Sequence, residues 1–123
     1  MTNKTLAAPL TDLVLYEAAP IFCRDVVTLG AGSTSLPGTV LAKNAAGDYN
    51  PVDFAGVNGA ELAFAVSVAT VDATAGAKPC TVISRGAVLD TAGLLWPAGA
   101  TAPQKAAAID RLTALGIVTK VAL

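Results

Sequence analysis

Glycine and proline punctuate this chain so closely that few regular elements of any length fit between Pro20 and Trp96. Eleven glycines and seven prolines are spread over 123 residues, and the longest strand-patterned segment, Leu62 to Val71, gives way at once to the Ala/Gly turn Asp72 to Lys78. Such punctuation selects short strands joined by turns. Ile21 to Leu29 (IFCRDVVTL) is β-branched and aromatic-rich and predicts a strand, ended by GAGSTSLPG. Gly38 to Lys43 predicts a second strand and Tyr49 to Val52 a short third one. Within 62–71 the alternation sends Leu62, Phe64, Val66 and Val68 to one face, expected to be the core, and Ala63, Ala65, Ser67 and Ala69 to the other. Pro79 opens the strand Cys80 to Arg85, Gly86 permits a bend, and Ala87 to Leu89 follows.

One helix stands out from this pattern, at about 102–115. Thr101 with Gln104 three residues on forms a capping-box signature, and Pro103 lies in the first turn, where its missing N–H costs least. Gly116 stops the helix, and Ile117 after it suits the hydrophobic contact of a C-terminal cap. Ile109, Leu112 and Leu115 predict a narrow apolar stripe, with Lys105 and Arg111 free to face solvent. Val118 to Ala122 alternates as a last strand. Trp96-Pro97 precedes the helix; Pro97 pushes Trp96 toward an extended conformation, where it reads as a packing plug. The fold class is therefore α+β, mainly β.

Residues 1–19 read as an N-terminal arm and 20–123 as one β-rich domain, a size that a single core can organise. The arm carries Leu10 and the apolar patch Leu13, Val14, Leu15 and Tyr16, a set suited to ordering against a partner strand. This stretch is more apolar than a plain arm, so a strand already formed within an assembly is the alternative.

Apolar residues make up 54% of the chain and charged residues 14%, against about 45–50% and about 25% in soluble domains. Much of the excess is alanine, which fits an Ala-rich monomer; it also fits apolar surface reserved for a subunit or partner. A net charge of −1 without a Lys/Arg cluster argues against nucleic acid and against an anionic membrane surface as partners. No apolar run approaches a membrane span, and MTNKTLAAPLTD lacks the apolar core of a secretory signal, so assembly in a cytoplasm is expected. Cys23 and Cys80 lack CxxC spacing and are expected to be free, buried thiols.

Chemistry is poorly provided for. Histidine is absent, which removes the commonest general base and a major metal ligand. Asp48, Asn50 and Asp53 in GDYNPVD look superficially like a calcium loop, but Val52 takes the fifth position and Asp53 the sixth, where glycine belongs. Gly30 and Gly32 give GxG without the helix that phosphate binding needs. No catalytic residue, metal or cofactor is expected, and the chain is not read as an enzyme.

The ordered set GTVLAK (38–43), GDYNPVD (47–53), an Ala/Val-rich strand ending in Val71-Asp72, Cys80-Thr81-Val82 and Arg85-Gly86 resembles the lambda-type phage head decoration proteins. LLWPAGATAPQKAAAIDRLTALGIV, residues 94–118, is similar to that family's C-terminal signature of WP, helix and GI. The resemblance implies a β-rich domain that assembles as homotrimers at local three-fold sites on the outer surface of an expanded tailed-phage capsid. The major capsid protein would be its partner, the virion its location and the host cytoplasm its place of assembly. It also implies an arm that engages the capsid, which makes Leu10, Leu13, Val14, Leu15 and Tyr16 the capsid-binding candidates. Trp96, Pro97, Thr101, Gln104 and Gly116 take structural roles. The alternatives are another phage structural or tail cap protein, or a small-ligand-binding β domain.

Overall fold

The computed structural model describes residues 13–56 and 59–121. In chain order its elements are β1 (Val14–Glu17), α1 (Pro20–Cys23), β2 (Arg24–Leu29), β3 (Thr34–Ser35), β4 (Val40–Lys43), β5 (Tyr49–Pro51), β6 (Ala65–Ser67), β7 (Val71–Asp72), β8 (Lys78–Ile83), β9 (Ala87–Asp90), a 3-10 turn (Thr91–Gly93), α2 (Ala102–Ala114) and β10 (Ile117–Lys120). The protein is mainly β, as the punctuation of the sequence requires.

Strands β2, β5, β4, β6 and β8 close into a small barrel. Its longest seam is the antiparallel β2–β8 ladder, from Arg24 opposite Ile83 to Leu29 opposite Lys78. Closure comes where β2 meets β5 in parallel at Leu29 and Tyr49, continued by the Gly30 N–H donating to the Tyr49 carbonyl at 2.8 Å. Against the barrel lies a three-stranded sheet, β1-β9-β10, with β1 antiparallel and β10 parallel to β9. Strands β3 and β7 form a separate two-stranded ribbon.

Two cores result. Leu29, Leu41, Tyr49, Ala65, Cys80 and Val82 belong to one cluster. Val40, Ala42, Val66 and Ile83, which alternate with them along β4, β6 and β8, face the other way. There they meet Leu13, Ala87, Leu89, Ala108, Leu112 and Ile117 from β9, α2, β10 and the start of the described chain. Val40 stands opposite Val66, and Val66 opposite Ile83, so one apolar row crosses three strands in register.

Several expectations are corrected by this double burial. The strand expected over 62–71 is broken into β6 and β7, and its large residues do not share one core face. Leu62 is exposed and Phe64 half-buried, whereas Ala63 and Ala65 are fully buried. Ala65 belongs to the same cluster as Leu41 and Val82, inside a narrow barrel where a small side chain fits. The strand expected from Ile21 begins only at Arg24, because Pro20 opens the one-turn helix α1; the Phe22 and Cys23 N–H groups both donate to the Ala19 carbonyl. The boundary expected at residue 19 also moves. Leu13 is fully buried and β1 pairs with β9, so residues 13–19 are part of the body. Gly93 permits this: a Cβ there would lie 2.9 Å from Leu13 Cδ1. Residues 1–12 of the expected arm lie outside the described residues.

Helix α2 follows its sequence signals. The Gln104 N–H donates to Thr101 Oγ1 at 3.3 Å, and the Thr101 N–H donates to Gln104 Oε1 at 2.9 Å, completing the capping box. Gly116 has φ +93°, and its N–H donates to the Thr113 carbonyl. The buried stripe is Ala108 and Leu112, with Ile109 and Leu115 only half-buried. Arg111, expected in solvent, turns back: its Nε donates to the Ala63 carbonyl at 2.8 Å and its guanidinium lies 6.0 Å from the Phe64 ring centre.

Removing the capping hydroxyl tests the helix start. Thr101→Ala is expected to cost about 1 kcal/mol, because the Gln104 N–H loses its acceptor. Denaturant unfolding measures this, and an unchanged midpoint would contradict it.

Candidate interaction surface

Large apolar side chains are exposed mainly in one stretch. Ile21 is 94% exposed, Val26 71%, Tyr16 61% and Phe22 54%; with Leu15 they account for five of the nine large hydrophobics exposed among the described residues. All five lie on β1, α1 and β2, where the chain leaves the sheet, turns at Pro20 and enters the barrel.

This turn is held from several sides. Arg85 Nη1 donates to the Phe22 carbonyl, its Nη2 donates to Asp25 Oδ2 at 2.8 Å, and its guanidinium lies 5.6 Å from the Phe22 ring centre. Arg24 binds Glu17 in two-pronged fashion, through Nε to Oε2 at 2.6 Å and Nη2 to Oε1 at 3.0 Å. Cys23 Sγ, buried beneath, donates to the Gly86 carbonyl at 3.3 Å. Gly86 itself has φ +71°, and a Cβ there would stand 3.0 Å from Phe22 Cε2 and 3.1 Å from Cys23 Sγ, so both its backbone and its neighbours call for glycine. The Arg85 guanidinium, helped by Ser84, holds the Asp25 carboxyl below the usual carboxylate range. The hydrogen bond that Arg24 donates to Glu17 raises the Arg24 pKa.

The residues singled out from sequence divide between core and surface. Leu13 is in the core, Val14 is half-buried, and Leu15 and Tyr16 are exposed beside the turn. Leu10 lies outside the described residues. Ile21, Phe22 and Val26 were expected in a strand and not at a surface site. The signal for them is the adjacent Arg24-Asp25, since two successive charges in an apolar segment leave at least one strand face wet. Trp96 is half-buried and stacks on Phe54, with ring centres 6.2 Å apart and planes at 27°. Pro97 begins the turn closed by the Ala100 N–H donating to its carbonyl. Thr101, Gln104 and Gly116 serve α2 as described.

Two shallow cavities flank Phe54 and Gln104. One, of about 160 Å³, is lined by Asp53, Phe54, Ala55, Gln104 and the 97–100 turn. The other, of about 240 Å³, lies between Leu62, Ala63 and the alanines of α2, with Glu61 and Arg111 at its margin. Neither offers a pair of groups suited to act as general acid and general base, since Arg111 holds its proton throughout. Both cysteines are free and buried. Cys80 Sγ sits 3.4 Å from Ser67 Oγ and 3.6 Å from Ser35 Oγ, and both hydroxyls donate to the Ala69 carbonyl, so this buried cluster is satisfied internally. Among the described residues no three His, Cys, Asp or Glu side chains gather to hold a metal, and no helix is long and apolar enough to cross a membrane.

The described surface thus carries an exposed apolar turn, tied to the β body by Arg85 and Arg24. Residues 4–117 match the family model described as bacteriophage lambda head decoration protein D. The chain belongs to that family. No curated protein matches it. As a lambda head decoration family member it is a structural phage protein with a capsid decoration role, and its place is the capsid of the virion. The match spans the barrel, the sheet strands β1 and β9, and α2.

The Asp25–Arg85 pair is a measurable part of the turn. Asp25→Asn is expected to lower stability at neutral pH by no more than about 1 kcal/mol, because solvent screens the pair. A carboxyl with a depressed folded pKa stabilises above its unfolded pKa of about 3.9, and that contribution is lost as pH falls through the folded value. Urea unfolding of both proteins should therefore show a gap at neutral pH that closes in strong acid. A gap that persists there, or is absent at pH 7, would contradict the pairing.

Proposed function

We propose that this protein stabilises an expanded tailed-phage capsid by binding its outer surface as homotrimers at local three-fold sites. The family match over residues 4–117 carries this reading. The major capsid protein is the partner, and the role is binding without a catalytic step. The protein assembles in the host cytoplasm and joins the virion there. A net charge of −1 and a sequence without a basic cluster fit a protein surface better than nucleic acid or an anionic membrane.

A ligand that binds the expanded shell and not its separated subunits stabilises the shell by mass action. Each trimer would join neighbouring capsid subunits. The N-terminal segment supplies the adhesive contact in this reading, by adding main-chain hydrogen bonds to a capsid strand. Strand β1, which follows it, lies at the edge of its sheet, so its outer side has no strand partner among the described residues. Three such segments in one trimer raise effective concentration and make individually weak contacts sufficient.

Deletion of residues 2–12 tests the mechanism. A longer deletion through residue 17 would remove Leu13 from the core and β1 from its sheet. The shorter variant is expected to keep the circular dichroism spectrum and melting of the full chain while losing co-sedimentation with expanded capsids. Full retention by the folded variant would move the capsid contact to the body.

A further inference from the structure

We propose that the cavity between Leu62, Ala63 and α2, with Arg111 at its margin and Lys43 on the neighbouring Phe64 ring, receives a segment of the major capsid protein that carries one large apolar side chain next to a carboxylate. This deepens the decoration reading, on which it rests, by naming a contact on the body in addition to the N-terminal segment.

Size limits the occupant. Phe54, Leu62, Ala63, Ala107 and Ala108 wall a single concavity of about 240 Å³. Drug-sized ligands occupy about 300–1,000 Å³, so this smaller space suits one large side chain. Its walls are fixed in advance. Phe54 stacks on Trp96 with ring centres 6.2 Å apart, and Arg111 Nε is tied to the Ala63 carbonyl at 2.8 Å. A preformed site loses little freedom when it is filled.

Charge selects the occupant's chemistry. Lys43 Nζ lies 5.4 Å from the Phe64 ring centre and 5.9 Å from that of Tyr49, and the Arg111 guanidinium lies 6.0 Å from the Phe64 ring centre. Two cations therefore share one ring in a chain whose net charge is −1. Neither has an ion-pair partner among the described residues, whose salt bridges join Glu17 to Arg24 and Asp25 to Arg85. Glu61, the carboxylate in the cavity lining, accepts the Gly59 N–H at 3.0 Å. The two Nη groups of Arg111 have no acceptor among the described residues, and a guanidinium fork is matched by a carboxylate. Two cations are too few to follow a nucleic-acid backbone. A protein segment that sets an acidic residue beside an apolar anchor satisfies both the cavity and the cations, and the family role places the capsid within reach.

Charge variants and crosslinking test this together. Ala107→Glu puts a carboxylate in the cavity four residues before Arg111, an arrangement that supports the helix while occupying the guanidinium. Lys43→Glu reverses an exposed charge, and Ala106→Glu adds the same charge to α2 at an exposed position outside the cavity lining. Thermal unfolding confirms that all three fold. In co-sedimentation with expanded capsids at graded salt, Ala107→Glu and Lys43→Glu are expected to weaken binding at least about tenfold and to flatten its salt dependence. Ala106→Glu is expected to leave both unchanged. Undiminished binding by the first two, or an equal loss in Ala106→Glu, would overturn the proposal. A benzophenone amino acid at position 62, in the cavity lining, identifies the occupant. Adducts to the capsid protein are expected; adducts to another copy of this chain alone, or none while the protein sediments, would contradict it. Failure of the unmodified protein to sediment would sink the decoration reading itself, and the capsid as occupant with it.

Discussion

The outer face of three barrel strands carries Val40, Val66 and Ile83 in one continuous row, and this row has to be kept from water. Each such side chain contributes about 1.5–3 kcal/mol when fully buried. The cover consists of Leu89 and Ala87 from β9, Ile117 from β10, Ala108 and Leu112 from α2, and Leu13. Most other features follow. Helix α2 must start and stop so as to lay Leu112 on the row, which Thr101 and Gly116 arrange. Leu13 must reach the same layer, which Gly93 permits. With Leu13 fixed and β1 paired to β9, the chain has only Ala18 and Ala19 before Pro20 turns it toward β2. The exposed Ile21-Phe22 turn is thus a consequence of covering the barrel.

Signals confined to a few neighbouring residues were legible in the sequence. The Thr101–Gln104 capping box, the stop at Gly116, the bend at Gly86 and the short strands around Val40, Tyr49 and Leu89 are set by local stereochemistry, and they appear where the residues place them. What depended on the second layer was not legible. Period-two alternation assumes one wet face, and β4, β6 and β8 have none where the sheet and α2 cover them. Ala63 and Ala65 accordingly look like a solvent or contact face and are fully buried. Leu13 looks like part of an arm because its partners, Leu89 and Leu112 among them, are distant in sequence.

The surface was hardest to read. Ile21, Phe22 and Val26 have the composition of core residues, and the adjacent Arg24-Asp25 is the local sign that a strand face here is wet. Arg85 supplies the missing information, since it reaches back 60 residues to clamp Asp25 and hold Phe22 in place. The two thiols are buried and the Ser35–Ser67 hydroxyl cluster beside Cys80 is satisfied internally, so these polar groups serve packing. That is in keeping with membership of a family of capsid decoration proteins.

Cryo-electron microscopy of expanded capsids, with and without the added protein, tests the capsid role most directly. Extra density outside the shell, grouped around local three-fold positions and fitted by the barrel with its α2 layer, is the expected result. Shells that gain no density, or gain it only on the inner surface, would contradict it.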